Sequence, residues 1–459
     1  MMAAMTAPLT TRAASFEPQN LLEQTRQAHF AQTMDLVFER HPYYRERLAG
    51  LGLRRSDFQT LADLQRLPLT SKAEYMAAPE AFILDAQGLP QEMQTVWDTM
   101  YTTGSTSGRP TPFVSTSYDF FNILELQRRM LELRGVGPQD LIANLFPLTT
   151  TPHGAWIRVL HAAASMNVPV VCAMPGKPSP YFQLGNGLDE VVQLVGRSQA
   201  TILWGVPSYI QRTLVRAAEL GLRWPAVRLV FVTGEALAES ARTQMQQALE
   251  AVGAGSAQIS ISYGATEMQG GLVECQPGAG LHNPLPAQML IEVVDPLTGL
   301  NLPDGQSGAV ALTHLNRRGT VLLRYLLGDV SVRSQAPCPA CGAVTERLVQ
   351  TPRRSDALLK VKGMLIHPEA VLASLDALLG ATPYLLSVQS TEPSQALSAD
   401  RLVLRLEAQP DAARARQLAG EVKRACGVTP ELQFEAVGSL APTGGSWKAK
   451  KFVDLRSAH

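Results

Sequence analysis

Residues 102–111, Thr-Thr-Gly-Ser-Thr-Ser-Gly-Arg-Pro-Thr, pack small hydroxyl side chains and glycine into one short run. Such a run can cradle an anion. Gly104 and Gly108 let the backbone turn tightly and bring N–H groups near phosphate oxygens. The hydroxyls of Thr103, Ser105, Thr106 and Ser107 add donors, and Thr111 closes the segment. No Gly-Lys-Ser/Thr follows, so the loop is not of the Walker type. A flexible Gly/Ser linker is the alternative, and the ordered motifs downstream argue for the cradle.

Three further groups carry chemistry. Tyr263-Gly264-Ala265-Thr266-Glu267 follows the strand-like Ile259–Ser262, and α/β proteins place ligands at the C-terminal ends of parallel strands. Asp329 ends Arg324-Tyr325-Leu326-Leu327-Gly328-Asp329, and a carboxylate there suits a pair of hydroxyl donors. Cys338-Pro-Ala-Cys341 has the knuckle spacing of zinc sites, with Pro337, Pro339 and Gly342 shaping the turn. Cys275 and His282 would complete a closed Cys3His set, which is structural rather than catalytic. The other reading is a set of unrelated apolar cysteines. Cys172 and Cys426 sit in apolar patterns and read as core. Phe146 and Trp204 fall at strand ends, where they wall a ligand pocket or simply pack.

The elements that must hold these residues are legible in the periodicity. A helix is expected over 20–48. Strands are expected at 141–146, 168–172, 202–206, 229–233 and 259–262, with helices over 189–196, 208–220 and 237–252. This alternation predicts an α/β protein whose large N-terminal domain (1–353) holds a mostly parallel sheet flanked by helices. Residues 285–350 read as a β-rich subdomain, with strands at 290–294 and 309–313 and turn signals between them. Residues 354–459 read as a small, mobile α+β domain, with helices at 368–379 and 412–426 and strands at 357–361, 385–389, 402–406 and 432–437.

Composition bounds the partners. The 459 residues suffice for two or three domains. Lys plus Arg equals Asp plus Glu at 40 each, so charge favours neither nucleic acid nor an anionic membrane. No apolar run approaches the ~20 residues of a membrane span, and Met1–Phe16 lacks the apolar stretch of a signal peptide. The five cysteines do not read as a disulfide framework. A cytoplasmic protein is expected, with a homodimer as the base-rate assembly.

The motif order resembles the adenylate-forming superfamily of acyl-CoA synthetases, adenylation domains and luciferases. After Tyr263–Glu267 and Arg324–Asp329 come Arg354-Ser355-Asp356 with Lys362-Gly363, then Trp447-Lys448-Ala449-Lys450. The short chain, the Glu274-Cys275…Gly280-Leu281-His282 segment and the Cys338–Gly342 knuckle make it most similar to the phenylacetate–CoA ligase branch. The resemblance runs from about residue 20 to the C-terminus. It implies that Tyr263 and Gly264 lie by the adenine, Thr266 contacts phosphate and Glu267 binds Mg²⁺. It implies ribose contacts from Asp329 and Arg354 and a hinge at Asp356. Gly234 and Glu235 stand where the family has a Gly-Ala-Glu-like turn lining the adenine, here as Gly-Glu-Ala. His153 stands where relatives have a gate on the acyl pocket. Lys448 aligns with the catalytic lysine, within an altered segment, and Lys450 is the fallback. A solvated basic tail is the competing reading, because Lys448, Lys450, Lys451 and Arg456 cluster.

The implied reaction is ATP-dependent activation of a carboxylic acid, of aromatic class, to acyl-AMP. Rotation of the small domain would then bring Lys362-Gly363 toward a thiol tunnel for transfer to CoA. No motif specifies CoA, so an amine, a carrier-protein thiol or nitrite stays open as acceptor. A non-catalytic nucleotide-binding protein with a decayed lysine loop is the alternative of another class.

Overall fold

The computed structural model of the chain describes residues 19–102, 110–148, 154–176, 185–235, 237, 239–354, 359–361, 364–366, 368–390, 400–440 and 451–456. Two strands, β1 (Val96–Tyr101) and β2 (Pro112–Thr116), pair antiparallel and carry the Gly/Ser/Thr run between them. Its base is tied twice. The Thr102 N–H donates to the Thr111 carbonyl and the Thr111 N–H to the Thr102 hydroxyl, both at 3.0 Å.

The expected parallel strands follow as β3 (Ile142–Asn144), β4 (Val170–Cys172), β5 (Ile202–Gly205), β6 (Leu229–Thr233) and β7 (Gln258–Ala265). They lie in the order β4-β3-β5-β6-β7. Helices Ser117–Glu132, Gly154–Met166, Leu188–Ser198, Pro207–Glu219 and Glu239–Ala251 alternate with them. The chain leaves β3 first for one neighbour, β4, and later for the other, β5. That reversal opens the crevice at the strands' C-terminal ends where open α/β sheets bind ligands.

The β-rich region expected over 285–350 holds β10 (Met289–Val294), β11 (Ser307–His314), β12 (Tyr325–Ser334) and β13 (Arg347–Leu348), and it extends beyond those bounds to β8 (Gly270–Glu274), β9 (Leu281–His282) and β14 (Arg353–Arg354). These strands are not a separate sheet. They extend the parallel half antiparallel through β8, β9, β13, β12, β11 and β10, giving twelve strands with β14 paired to β12. After residue 354 the chain forms a four-stranded sheet and a two-stranded ribbon, with helices Pro368–Leu379 and Ala412–Cys426. Val371, Leu375, Leu386, Leu404, Leu418 and Val422 make a hydrophobic cluster distinct from the main core. Among the described residues no helix is long and apolar enough to cross a membrane.

One expected element is corrected. The helix read over 20–48 is two helices, Gln19–Arg40 and Pro42–Gly50. Pro42 disfavours helical geometry at the residue before it. His41 is accordingly extended (φ −95°, ψ 109°), and its Nδ1 accepts from the Tyr44 N–H at 3.2 Å, capping the second helix. Its Nε2–H donates to the Val321 carbonyl at 3.1 Å. Burial lowers this imidazole to about 4, so it stays neutral and serves as a two-sided link between the N-terminal helices and the segment before β12.

A second buried link fixes where β3 begins. The Asp140 carboxylate accepts from Gly137 N–H (2.9 Å), Thr201 Oγ1 (2.8 Å) and Arg228 Nε (2.7 Å). Burial raises its pKa, but the hydrogen bonds from Arg228, Gly137 and Thr201 outweigh burial and hold it below the usual carboxylate value. A lowered folded pKa contributes stability above the unfolded value of about 3.9, lost as pH falls through the folded one. Asp140→Asn is expected to lose about 1–3 kcal/mol at neutral pH in urea unfolding. The gap between the two proteins should close below about pH 4.

Candidate active site

The residues expected to do chemistry gather where β7 ends and β12 passes it. Glu267 follows β7 in a single tight turn, Thr266–Met268, and its side chain is buried. The Tyr325 hydroxyl donates to Glu267 Oε1 at 2.9 Å, and His314 Nε2 bonds the Glu267 carbonyl at 2.9 Å. Four residues along β12, Asp329 accepts from the Tyr263 hydroxyl at 2.7 Å. Burial first, then the facing carboxylate, raises both tyrosine pKa values, so both phenols remain donors.

The position of Asp329 depends on a bulge. β12 keeps register with β11 at Leu326 and at Val330, but the spacing shifts between them. Gly328 takes φ +82° inside this bulge, and a Cβ there would stand 3.0 Å from Arg354 Nη1. Bulges re-aim side chains. This one lets Asp329 meet Tyr263 on one side and Arg354, 3.7 Å away across β12/β14, on the other. The motif's own arginine does a different job. Arg324, at φ +47°, is buried, donates to the Leu67 carbonyl at 2.9 Å and faces Glu292 at 3.5 Å.

The root of the Gly/Ser/Thr run reaches the same place. Thr266 Oγ1 lies 3.5 Å from the Tyr101 carbonyl, and the Tyr75 hydroxyl donates to the Pro112 carbonyl at 2.5 Å. Thr111 is buried at this root. Thr103, Gly104, Ser105, Thr106, Ser107 and Gly108 lie outside the described residues, as do His153, Asp356, Lys362, Gly363, Lys448 and Lys450. Of the basic cluster near the C-terminus, Lys451 is committed to Asp376 at 2.8 Å and Arg456 to Asp454 at 2.7 Å.

On the neighbouring strand Gly234 takes φ +89°, directly after β6. Glu235 accepts from the Ser208 N–H (3.1 Å) and hydroxyl (3.0 Å) at the start of helix Pro207–Glu219, so it pins the β6 turn to the β5 turn. Trp204 and Phe146 are both buried at the ends of β5 and β3. Periodicity missed a polar plate under the β7–β8 turn. Arg158 donates to Asp98 at 2.8 Å and also to the Gln269 side chain, while Gln269 Nε2 donates to the Thr266 carbonyl at 2.6 Å. Arg158 lies in a helical stretch where nothing local marks it as buried.

The four candidate zinc ligands come together from two distant segments. Cys275, His282, Cys338 and Cys341 are all buried, with ligand atoms within 4.8 Å of one another. Cys275 Sγ is 3.8 Å from Cys338 Sγ, and Cys341 Sγ is 3.8 Å from His282 Nε2. A disulfide needs about 2.05 Å. The edge of a tetrahedron with Zn–S bonds of about 2.3 Å is about 3.8 Å, so spacing and donor types fit that metal.

The turn holding Glu267 tolerates no extra atom. A Cβ on Gly264 would stand 2.5 Å from the Gly270 carbonyl oxygen, and one on Gly271 would stand 2.8 Å from the Tyr263 carbonyl oxygen. Gly264→Ala is expected to cost about 1–3 kcal/mol by thermal unfolding. The control Gly50→Ala, where a Cβ meets nothing within 4 Å, should stay within about 0.5 kcal/mol of the parent.

The AMP-binding enzyme family pattern matches residues 90–316. The chain is 25% identical to the phenylacetate-coenzyme A ligase of Thermus thermophilus, covering 96% of this chain and 98% of that one. It is also 25% identical to the phenylacetate-coenzyme A ligase of Escherichia coli K12, covering 93% of each. A solved structure of 2-hydroxyisobutyryl-CoA ligase in the postadenylation state, with R3-HIB-AMP, superposes with TM-score 0.74 at 20% identity, covering 95% of this chain and 90% of that one. The same ligase in the thioesterification state, with CoA, gives 0.64 at 21% and the same coverage. The hydroxyl-rich loop root and the paired Tyr/carboxylate motifs thus lie in a chain whose residues 90–316 match the AMP-binding enzyme pattern and which is similar over nearly its whole length to phenylacetate-coenzyme A ligases.

Proposed function

We propose that this protein activates a carboxylic acid of aromatic class with ATP and transfers the acyl group to CoA. The observation that carries the reading is the meeting of the hydroxyl-rich loop's root with buried Glu267 at the end of β7 and with Asp329 on β12. The substrate carboxylate attacks the α-phosphorus, the bond to the bridging oxygen breaks, and pyrophosphate leaves. The sulfur of CoA then attacks the acyl carbon, AMP leaves, and the thiol proton passes to solvent.

In this reading residues 103–111 hold phosphates, with Thr266 beside them. Asp329 and Arg354 receive the ribose, and Tyr263 and the Gly234–Glu235 turn border the adenine. Glu267 holds Mg²⁺, for which one carboxylate plus phosphate oxygens suffices; when bound, the ion neutralises phosphate charge. Lys448 places an ammonium where negative charge develops. Residues 354–459 act as the mobile domain, turning at Asp356 to bring Lys362-Gly363 toward the thiol. Phe146, Trp204 and His153 border the acyl group.

Lys448→Ala is expected to lower acyl-AMP formation by about 10²–10³-fold, read as pyrophosphate release with ATP, Mg²⁺ and a panel of aromatic and aliphatic acids. Thioester formation from supplied acyl-AMP should be far less affected. Full pyrophosphate release by the Lys448→Ala protein would remove this role. Pyrophosphate release that CoA does not accelerate, with no thioester in the product, would move the acceptor to an amine, a carrier-protein thiol or nitrite.

The Cys275/His282/Cys338/Cys341 set supports a structural zinc ion, which would clamp the loops after β8 and β12. One zinc per chain is expected by elemental analysis. Cys338→Ser should lose it and unfold at lower temperature. Metal-free native protein of unchanged melting temperature would exclude the site.

A further inference from the structure

Arg134 follows helix Ser117–Glu132 and is buried in the interior. It is 4% exposed. One Nη donates to the Ser262 hydroxyl, one residue before Tyr263. Its guanidinium carbon lies 4.2 Å from the centre of the Phe231 ring and 5.7 Å from that of Trp204. Those rings meet edge-on at 5.4 Å. Phe231 stands three residues before Gly234, and Trp204 is a wall already assigned to the carboxylic acid. The acyl group of an acyl-AMP is bonded to the α-phosphate, so its pocket must adjoin Tyr263 and Thr266. Arg134 sets a cation against both rings.

This cation lacks a direct counter-ion. Among the described residues its Nε and other Nη, and the Trp204 indole N–H, have no acceptor. Burial lowers the guanidinium to about 9, and Glu274 supports its charge through space. Glu274's oxygens are engaged elsewhere: they accept from Ile261 N–H (2.8 Å) and Gly278 N–H (2.9 Å), and one faces Arg242 at 3.5 Å. A buried guanidinium is stable only when its donors are answered. Here every unanswered atom is a donor, so whatever answers them is an acceptor.

On the adenylation reading above, we infer that the substrate is an acid carrying a second, anionic acceptor at the end remote from the reacting carboxylate. That far group pairs with Arg134 and the Trp204 N–H, while the body of the acid lies against Phe231 and Trp204. Arg134 is thus a specificity-determining residue, remote from the reacting atoms.

The test compares pyrophosphate release by the full chain for phenylacetate, its 3- and 4-carbamoyl and 3- and 4-carboxy derivatives, hexanoate and adipate. The wild type should favour one carboxylated acid over its neutral counterpart by at least about 10-fold in kcat/KM, as a charged hydrogen bond implies. Arg134→Met should erase or invert that preference, read as the ratio of kcat/KM for the two acids within one protein, and Arg134→Lys should restore part of it. Equal or better use of the neutral acids by the wild type would overturn the inference, whether or not the Arg134 variants fold. No pyrophosphate release with any acid, in protein that melts cooperatively and binds ATP, would instead count against the adenylation reading itself.

Discussion

A reciprocal pair of tyrosine–carboxylate hydrogen bonds organises this molecule. The end of β7 supplies Tyr263 and Glu267, and β12 supplies Tyr325 and Asp329. Each element donates a phenol to the other's carboxylate. The two are not neighbours in the sheet, because β8, β9 and β13 lie between them. The bonds therefore fix how the parallel half and the antiparallel half curve toward each other. A buried carboxylate is costly without hydrogen bonds to its charged form, so buried Glu267 depends on the Tyr325 hydroxyl that the other half supplies. Loop, sheet and hairpin converge on that geometry.

The supports around this pair use backbone as much as side chains. Gly264 and Gly271 leave no room for a Cβ where β7 and β8 cross. Gly328 permits the bulge that aims Asp329. Arg158 and Gln269 hold the turn from below. His41, kept neutral by burial, ties the N-terminal helices to the segment entering β12. The Cys/His cluster brings the loop after β8 and the end of β9 against the loop after β12.

The same sheet explains why one domain can serve two half-reactions. The groups proposed to meet phosphate, ribose and acyl moiety fall at the strands' C-terminal ends, where open α/β sheets bind ligands. The residues proposed to change between steps, Lys448 and Lys362, both belong to the C-terminal region with its own hydrophobic cluster. Lys451, beside the lysine segment, is pinned to Asp376 within that region. Arg134 sets a charge against the Phe231 and Trp204 rings, and on the inference above that charge chooses among acids where ring packing alone discriminates weakly.

The sequence by itself determined the alternation of strands and helices, the hydroxyl-rich loop, the order of the carboxylate motifs and the four candidate metal ligands. These are local facts. Period-2 and period-3.6 patterns, Gly-rich turns and short spacings are written within a dozen residues. The sequence did not show that Pro42 divides the first helix until its backbone restriction met the cap formed by His41. Tertiary structure alone decided that the β-rich region joins the parallel strands in one sheet. It alone brought Cys275 and His282 to Cys338 and Cys341, turned Tyr325 onto Glu267, and buried Arg134 and Arg158. An arginine in an amphipathic helical stretch reads as solvated because long charged side chains usually reach water. Which ones turn inward depends on partners a hundred or more residues away, here Ser262 for Arg134 and Gln269 for Arg158, and no window along the chain contains them.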